Sequence, residues 1–134
     1  EEDDLCEIVV EHGRKRAYCG NSVLHFEFTD IDGVETLDQP DNVALLDADK
    51  LTFPLTLRRW KEGDSFTPLG MQGRKKVSDL LIDDKGPRAE KRRQFVLVGD
   101  GEIAWLVGRR IDDRYKVSKE TENILKLKQQ FLDA

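Results

Sequence analysis

The chain has 134 residues and a mass of 15.4 kDa, with 38% hydrophobic and 37% charged residues and a formal net charge of −5. That length supports one cored domain, or one domain with a small flanking lobe, and no apolar run approaches the ~20 residues of a membrane span. The charge is unevenly placed: residues 1–49 hold 14 acids and three bases (Arg14, Lys15, Arg16), a net of −11, whereas residues 50–134 carry +6. Asymmetry of this kind predicts that one part faces an acidic partner while the other does not.

The sole methionine is Met71, and the missing initiator predicts a segment of a longer polypeptide. Cys6 and Cys19 are too few for a disulfide framework and read as reduced cytosolic thiols on strands. The order Cys6, His12, Cys19, His25 lacks the close ligand pairs of structural zinc, so no metal site is expected.

In chain order, residues 5–10 (LCEIVV) and 23–29 (VLHFEFT) read as strands. Alternation in the second puts Leu24, Phe26 and Phe28 on the face predicted to be buried, with Val23, His25, Glu27 and Thr29 opposite. Asp32-Gly33 marks a turn and Gln39-Pro40-Asp41 a loop. Residues 43–46 and 53–57 follow as strands, with Pro54 near the start or on an edge. Glu62-Gly63-Asp64 is a turn, residues 66–69 are extended, and Gly70 to Gly73 form a tight loop.

Val77, Leu80 and Leu81 recur at i, i+3, i+4, which predicts a short amphipathic helix over 75–84, stopped by Gly86-Pro87. Residues 88–93 read as a further helical turn opened by Pro87. The apolar runs 95–98 and 103–107, linked through Asp100-Gly101, predict a β-hairpin that is apolar on both faces and therefore central to the core. Residues 123–128 alternate well enough for a last strand, with a helix as the alternative. The expected class is α+β: a small, mostly antiparallel sheet with one or two short helices packed on it, preceded by a β-rich connector. Residues 1–50 would form the acidic connector and 51–134 the main domain.

Nucleophile elbows, metal-binding helices and P-loops are absent from the sequence, and Gly70-Met71-Gln72-Gly73-Arg74-Lys75-Lys76 lacks the Walker spacing. Asp112-Asp113, flanked by Arg110 and Arg114, reads as a salt-bridged extended segment rather than a catalytic carboxylate pair. The informative feature is a basic series: residues 58–93 hold 11 bases against six acids. Arg74, Lys75 and Lys76 fall at the expected helix N-terminus, where cations are disfavoured unless an anion sits there. Gly73 would let a phosphate approach closely. The alternative is a solvated turn in which Lys75 pairs with Asp79. Arg58, Arg59 and the cluster Lys91, Arg92, Arg93 extend the basic surface. Trp60 and Phe66 flank it as possible stacking residues, with a core position the competing role for Trp60.

As an ensemble these residues resemble the C-terminal domain of the tRNA(Ile)-lysidine synthetase family. The resemblance begins at Leu57-Arg58-Arg59-Trp60-Lys61-Glu62-Gly63-Asp64 and continues through Phe66-Thr67-Pro68-Leu69-Gly70-Met71 and Gly73-Arg74-Lys75-Lys76-Val77-Ser78-Asp79-Leu80-Leu81-Ile82-Asp83. Lys85-Gly86-Pro87, the two apolar strands, residues 108–112 and Arg114-Tyr115-Lys116-Val117 complete it, so the match runs over roughly residues 50–128. It implies a parent ligase of the cytoplasm that adenylates the wobble cytidine of tRNA(Ile) with ATP and magnesium and then admits lysine to give lysidine. The Ser-Gly-Gly-x-Asp-Ser pyrophosphate loop of that family does not occur here. The resemblance therefore implies that catalysis belongs to an N-terminal lobe outside this chain and that no residue of this chain is catalytic. It further implies that this domain grips the acceptor-stem end of the tRNA, with tRNA(Ile) and the catalytic lobe as partners. The competing reading is a protein-docking or dimerisation domain, with a homodimer among its forms.

Overall fold

A computed structural model describes residues 6–83 and 93–132. The strands are β1 (Glu7–Val10), β2 (Arg16–Cys19), β3 (Ser22–Thr29), β4 (Val43–Asp47), β5 (Leu55–Arg59), β6 (Ser65–Phe66), β7 (Lys75–Lys76), β8 (Phe95–Gly99), β9 (Glu102–Leu106), β10 (Arg110–Ile111) and β11 (Ile124–Phe131). One helix, α1 (Val77–Asp83), lies among the described residues.

The strands form a five-stranded sheet, β1-β5-β8-β9-β10, a four-stranded sheet, β2-β3-β11-β4, and a small β6-β7 ribbon, with antiparallel pairing throughout. Residues 124–128 thus belong to a strand, Ile124–Phe131, which pairs in full register with β3 from Ile124↔Thr29 to Phe131↔Ser22. The acidic segment is woven into both sheets: β1 pairs with β5, while β2, β3 and β4 share their sheet with β11.

Two apolar clusters follow from the pleat of the hairpin. Phe95 and Leu97 of β8 point into a cluster between the two large sheets, together with Leu24, Leu46, Leu55, Leu57, Trp105, Leu125 and Leu127. Val96 points the other way, into a second cluster with Phe66, Val77, Leu80, Leu81, Ile103 and Leu106. The hairpin is thus covered on both faces, and α1 packs on its outer side. The register shifts between Leu97 and Val98, opposite Trp105 and Ile103, so Ala104 is an extra residue on β9. This bulge interrupts the alternation, which is why Ala104 and Trp105 both belong to the inner cluster. The turn has two central residues, Asp100 and Gly101, at φ 53 and φ 77. Both are left-handed, as the tightest hairpin turns require.

Three expectations need correction. Lys75 and Lys76 do not open the helix; they form β7 against Ser65 and Phe66, and the helix starts at Val77, whose N–H donates to the Asp64 carbonyl. Cys6 and Cys19 are not free thiols but a disulfide, with Cα atoms 6.0 Å apart, and only Cys19 lies within a strand. Phe28 is 39% exposed rather than buried. It stacks on His12 at 4.7 Å, because the chain after β1 brings that ring beside it, with Phe53, just before β5, packed on the pair. The Gly86-Pro87 stop and most of the expected 88–93 turn lie outside the described residues.

Candidate nucleic-acid interface

The basic segment is shaped by two carboxylates. Asp64, at the end of the Lys61–Asp64 turn, accepts both terminal nitrogens of Arg58 at 3.0 Å and the Lys61 N–H at 2.9 Å. Arg58 is therefore a brace between β5 and the turn, and its side chain is only 17% exposed. Arg59 is half-buried on the same strand. Trp60 packs against the outer cluster and is also half-buried. Phe66 is fully buried in that cluster, so its ring has no face for a base. The expected stacking role of Phe66 is thereby overturned: alternation along β6 turns its ring beneath α1.

The second carboxylate, Asp112, is itself fully buried. It accepts the Thr67 N–H at 3.1 Å, the Arg114 N–H at 2.7 Å and two guanidinium contacts from Arg114 at 2.9 Å. Burial alone would raise its pKa, but the Arg114 guanidinium together with the Arg114 and Thr67 N–H groups outweighs burial and lowers it. Asp113 is lowered chiefly by the Gly70 N–H, with Lys116 adding to it. These contacts, with Leu69 N–H to Ile111 O and Asp113 N–H to Thr67 O, seat residues 67–70 along residues 111–113. Residues 113–115 form a 3₁₀ turn, so the expected ion pairing of Arg114 holds on a turn rather than an extended strand.

The cations divide into two groups. Arg74 donates to the Ser65 hydroxyl and carbonyl and lies 3.8 Å from Glu102, which also receives Arg114 at 3.1 Å. Lys75 pairs with Asp83 at 2.6 Å, not with Asp79. Both therefore hold the ribbon and the helix to the body. Lys61 and Lys76, by contrast, are exposed and have no ion-pair partner among the described residues. Gly73 is exposed at the loop tip with open space around it. Arg93 is exposed where β8 begins; Lys91 and Arg92 lie outside the described residues. Among the described residues no group of three or more His, Cys, Asp or Glu side chains is placed to hold a metal ion.

Two contributors escaped the sequence reading. Gln94 is buried and donates to the Phe95 and Val107 carbonyls while its Oε1 accepts Arg109 Nε at 2.7 Å. Glu102 bridges Arg74 and Arg114 across the five-stranded sheet's face. Both pairings join residues more than ten positions apart, and local pattern carries no signal for them.

The family model described as the TilS substrate C-terminal domain matches residues 55–128. The tRNA(Ile)-lysidine synthase of Parabacteroides distasonis is 49% identical over 96 residues, covering 69% of this chain and 22% of that protein. The tRNA(Ile)-lysidine synthase of Bacteroides thetaiotaomicron is 44% identical over 82 residues, covering 61% and 19%. The chain thus spans about a fifth of the length of the curated relatives it matches. A solved structure described as a TILS C-terminal domain superposes with a TM-score of 0.73 over 85% of this chain and 87% of that one, at 22% identity, and so shares the fold. An N-terminal fragment of the phenylalanyl-tRNA synthetase β-subunit from Pyrococcus horikoshii superposes at 0.56 over 65% and 27%, at 17% identity. The braced segment from β5 through β11 is the part that the family model covers, and the chain belongs to the TilS substrate C-terminal domain family.

Proposed function

We propose that the chain is the tRNA-gripping C-terminal domain of a tRNA(Ile)-lysidine synthase and that it holds the acceptor-stem end of tRNA(Ile). The carrying observation is a coincidence of place. The residues matched by the family model contain the basic series, and its loop is braced so that Lys61 and Lys76 stand outward without internal partners among the described residues. Cations left free on a stiff loop suit phosphate contacts, which position an RNA without reading its bases. Arg58, Arg74 and Lys75 act one step behind, by fixing the loop's shape. Lys91, Arg92 and Arg93 continue the basic series in sequence. Residues 1–50 would serve as an acidic buttress directed away from the RNA, and 51–134 as the binding unit.

The chemistry of the whole enzyme, with ATP, magnesium and lysine, belongs to a catalytic lobe outside this chain, in the cytoplasm. This domain contributes affinity and placement: holding the far end of the tRNA fixes where the wobble cytidine falls, so its loss acts through binding and alignment. The test is a titration of tRNA(Ile) with the 134-residue chain across a salt series. Log affinity should fall with log salt, and Lys61→Ala with Lys76→Ala should reduce the slope by roughly 1.4–1.8, at about 0.7–0.9 per phosphate. No binding at the lowest salt, or binding indifferent to salt, would overturn the reading.

A further inference from the structure

The disulfide between Cys6 and Cys19 joins the two large sheets at one edge. Cys6 directly precedes β1, the edge strand beside β5, and Cys19 ends β2, an edge strand of the four-stranded sheet. We propose that this pair is a thiol–disulfide switch: closed, it fastens the start of β1 beside Arg58, and open, it lets that end of the strand fray and the basic loop loosen. The switch goes beyond the RNA-binding reading, and only its effect on RNA affinity rests on that reading.

A short chain of contacts couples the sulfurs to the loop. Glu7, next to Cys6, lies opposite Arg58 in the β1–β5 register. Arg58 gives both terminal nitrogens to Asp64 at 3.0 Å. Asp64 accepts the Lys61 N–H at 2.9 Å on its side chain, and its carbonyl accepts the Val77 N–H where the β6–β7 ribbon passes into α1. β1 itself is lightly held: it has four residues, of which only Val10 is buried. After its far end Arg14 donates to the Val9 carbonyl at 3.3 Å and the Arg16 carbonyl at 2.8 Å, a clamp across the two edges. The disulfide does the same at the Cys6 end. A strand this short at a sheet edge opens locally with ease, so a tie at its start decides whether that end stays paired.

Both redox states suit the fold. Cα atoms 6.0 Å apart bring the two sulfurs within bonding reach. The cluster between the sheets meanwhile draws on Leu46, Leu55, Leu97, Leu125 and Leu127, none of which needs the bond. The bond is also within reach of solvent, since Cys6 is half-buried whereas Cys19 is 3% exposed. A small-molecule thiolate therefore attacks Cys6 Sγ; the S–S bond breaks, and Cys19 leaves as a thiolate that takes up a proton. A second small thiolate attacks the outer sulfur of the mixed disulfide and releases Cys6, which is protonated in turn. Two electrons pass to the protein, and the two small thiols end as one small disulfide. The reverse exchange, from a small-molecule disulfide, closes the bond again. The chain has no third cysteine, so closure within it has one product. In the reducing compartment proposed above, a pair of this kind is a redox-sensing element rather than a permanent staple.

The test holds the 134-residue chain in glutathione buffers from fully oxidised to fully reduced. Free thiols are counted by alkylation and mass, and amide exchange and tRNA(Ile) affinity are followed at each step. Millimolar reduced glutathione should open the bond while the fold persists, with β1 amides and the β5 amides that face them exchanging about tenfold faster and β11 unchanged. Affinity for tRNA(Ile) should fall roughly two- to fivefold, and reoxidation should restore both readouts. Cys6→Ser should match the reduced chain in every buffer; should that variant fail to fold, the unsubstituted chain carries the test by itself. A bond that survives excess thiol until the chain unfolds would overturn the switch, as would opening that leaves β1 exchange unchanged. Faster exchange with unaltered affinity would overturn the link to the loop. Binding of RNA by neither form would sink the RNA reading, and the exchange readout would then decide the switch alone.

Discussion

Asp64 and Asp112 anchor the two ends of the basic loop, and they do so under different conditions. Asp64 sits at a turn with its side chain 10% exposed, and its partners come from within six residues. Asp112 is fully enclosed, and its Thr67 contact reaches across 45 positions. The first is a local brace that sets the shape of one turn. The second is a tertiary lock that fastens the loop to the five-stranded sheet. Between them the cations sort by the same logic. Those facing a carboxylate within reach, Arg58, Arg74, Lys75 and Arg114, serve the fold, and those on the rim, Lys61 and Lys76, are left for a partner. A high local charge is therefore a poor measure of how much of a basic segment is available to a partner.

The largest effect should come from the lock. Asp112→Ala strands the Thr67 and Arg114 N–H groups and should cost about 2–3 kcal/mol, whereas Asp64→Ala should cost about 1–2 kcal/mol because water reaches its partners. Urea unfolding of both variants measures the difference. Equal losses would mean that burial does not separate the two anchors.

Acid sharpens the same contrast. The folded pKa of Asp112 lies below its unfolded value of about 3.9, so its contribution is fully present above that value and is lost as pH falls through the folded pKa. The stability gap between the native chain and Asp112→Asn should therefore stay constant from pH 7 to about 5 and close only below about 4. Thermal melts at stepped pH read this directly, and a gap that closed near neutrality would contradict the assignment.

Much of this division lies beyond what sequence pattern reveals. The hairpin of β8 and β9 was legible because two continuous apolar runs flank a two-residue Asp100-Gly101 turn, a wholly local signature. The last strand was legible in its alternation, although its length and its two neighbours were not. The boundary at Lys75 misled because helical spacing from Val77 onward extends backward without conflict. Only the β6–β7 pairing and the Val77 N–H bond to Asp64 stop the helix there. Phe66 misled in the same way, since a two-residue strand is too short to show which face is buried. The disulfide between Cys6 and Cys19 depends on β1 and β2, strands of different sheets, being brought into contact, which neither strand announces. At the candidate site the segment was legible from its charge, but the roles within it were not. Which lysine pairs and which stands free is a matter of tertiary placement.

Within that segment, Lys75→Ala and Lys76→Ala should behave oppositely although they are neighbours. Lys75→Ala removes the Asp83 pair and should lower stability slightly, by about 0.2–1 kcal/mol, with little change in the salt slope of tRNA binding. Lys76→Ala should leave stability within about 0.5 kcal/mol and remove roughly 0.7–0.9 from the slope. A matching slope change for both would show that diffuse charge, rather than the free rim cation, drives binding.

The smallest effect is expected far from the loop. Lys126 and Lys128 are basic but sit on β11, in the sheet shared with the acidic segment, with Lys126 directly across from Glu27 and Lys128 across from His25. A cation facing a carboxylate across antiparallel strands is partly neutralised, and the surrounding acids repel a phosphate chain further. Replacing both lysines by Ala removes as much formal charge as the Lys61 and Lys76 pair does. If total charge governed binding, the two double variants would be indistinguishable. Placement predicts instead that Lys126→Ala with Lys128→Ala changes the salt slope by less than about 0.5, well short of the change expected for two phosphate contacts at the rim pair. A slope loss equal to that of the rim pair would relocate the RNA to the four-stranded sheet and dissolve the distinction between braced and free cations.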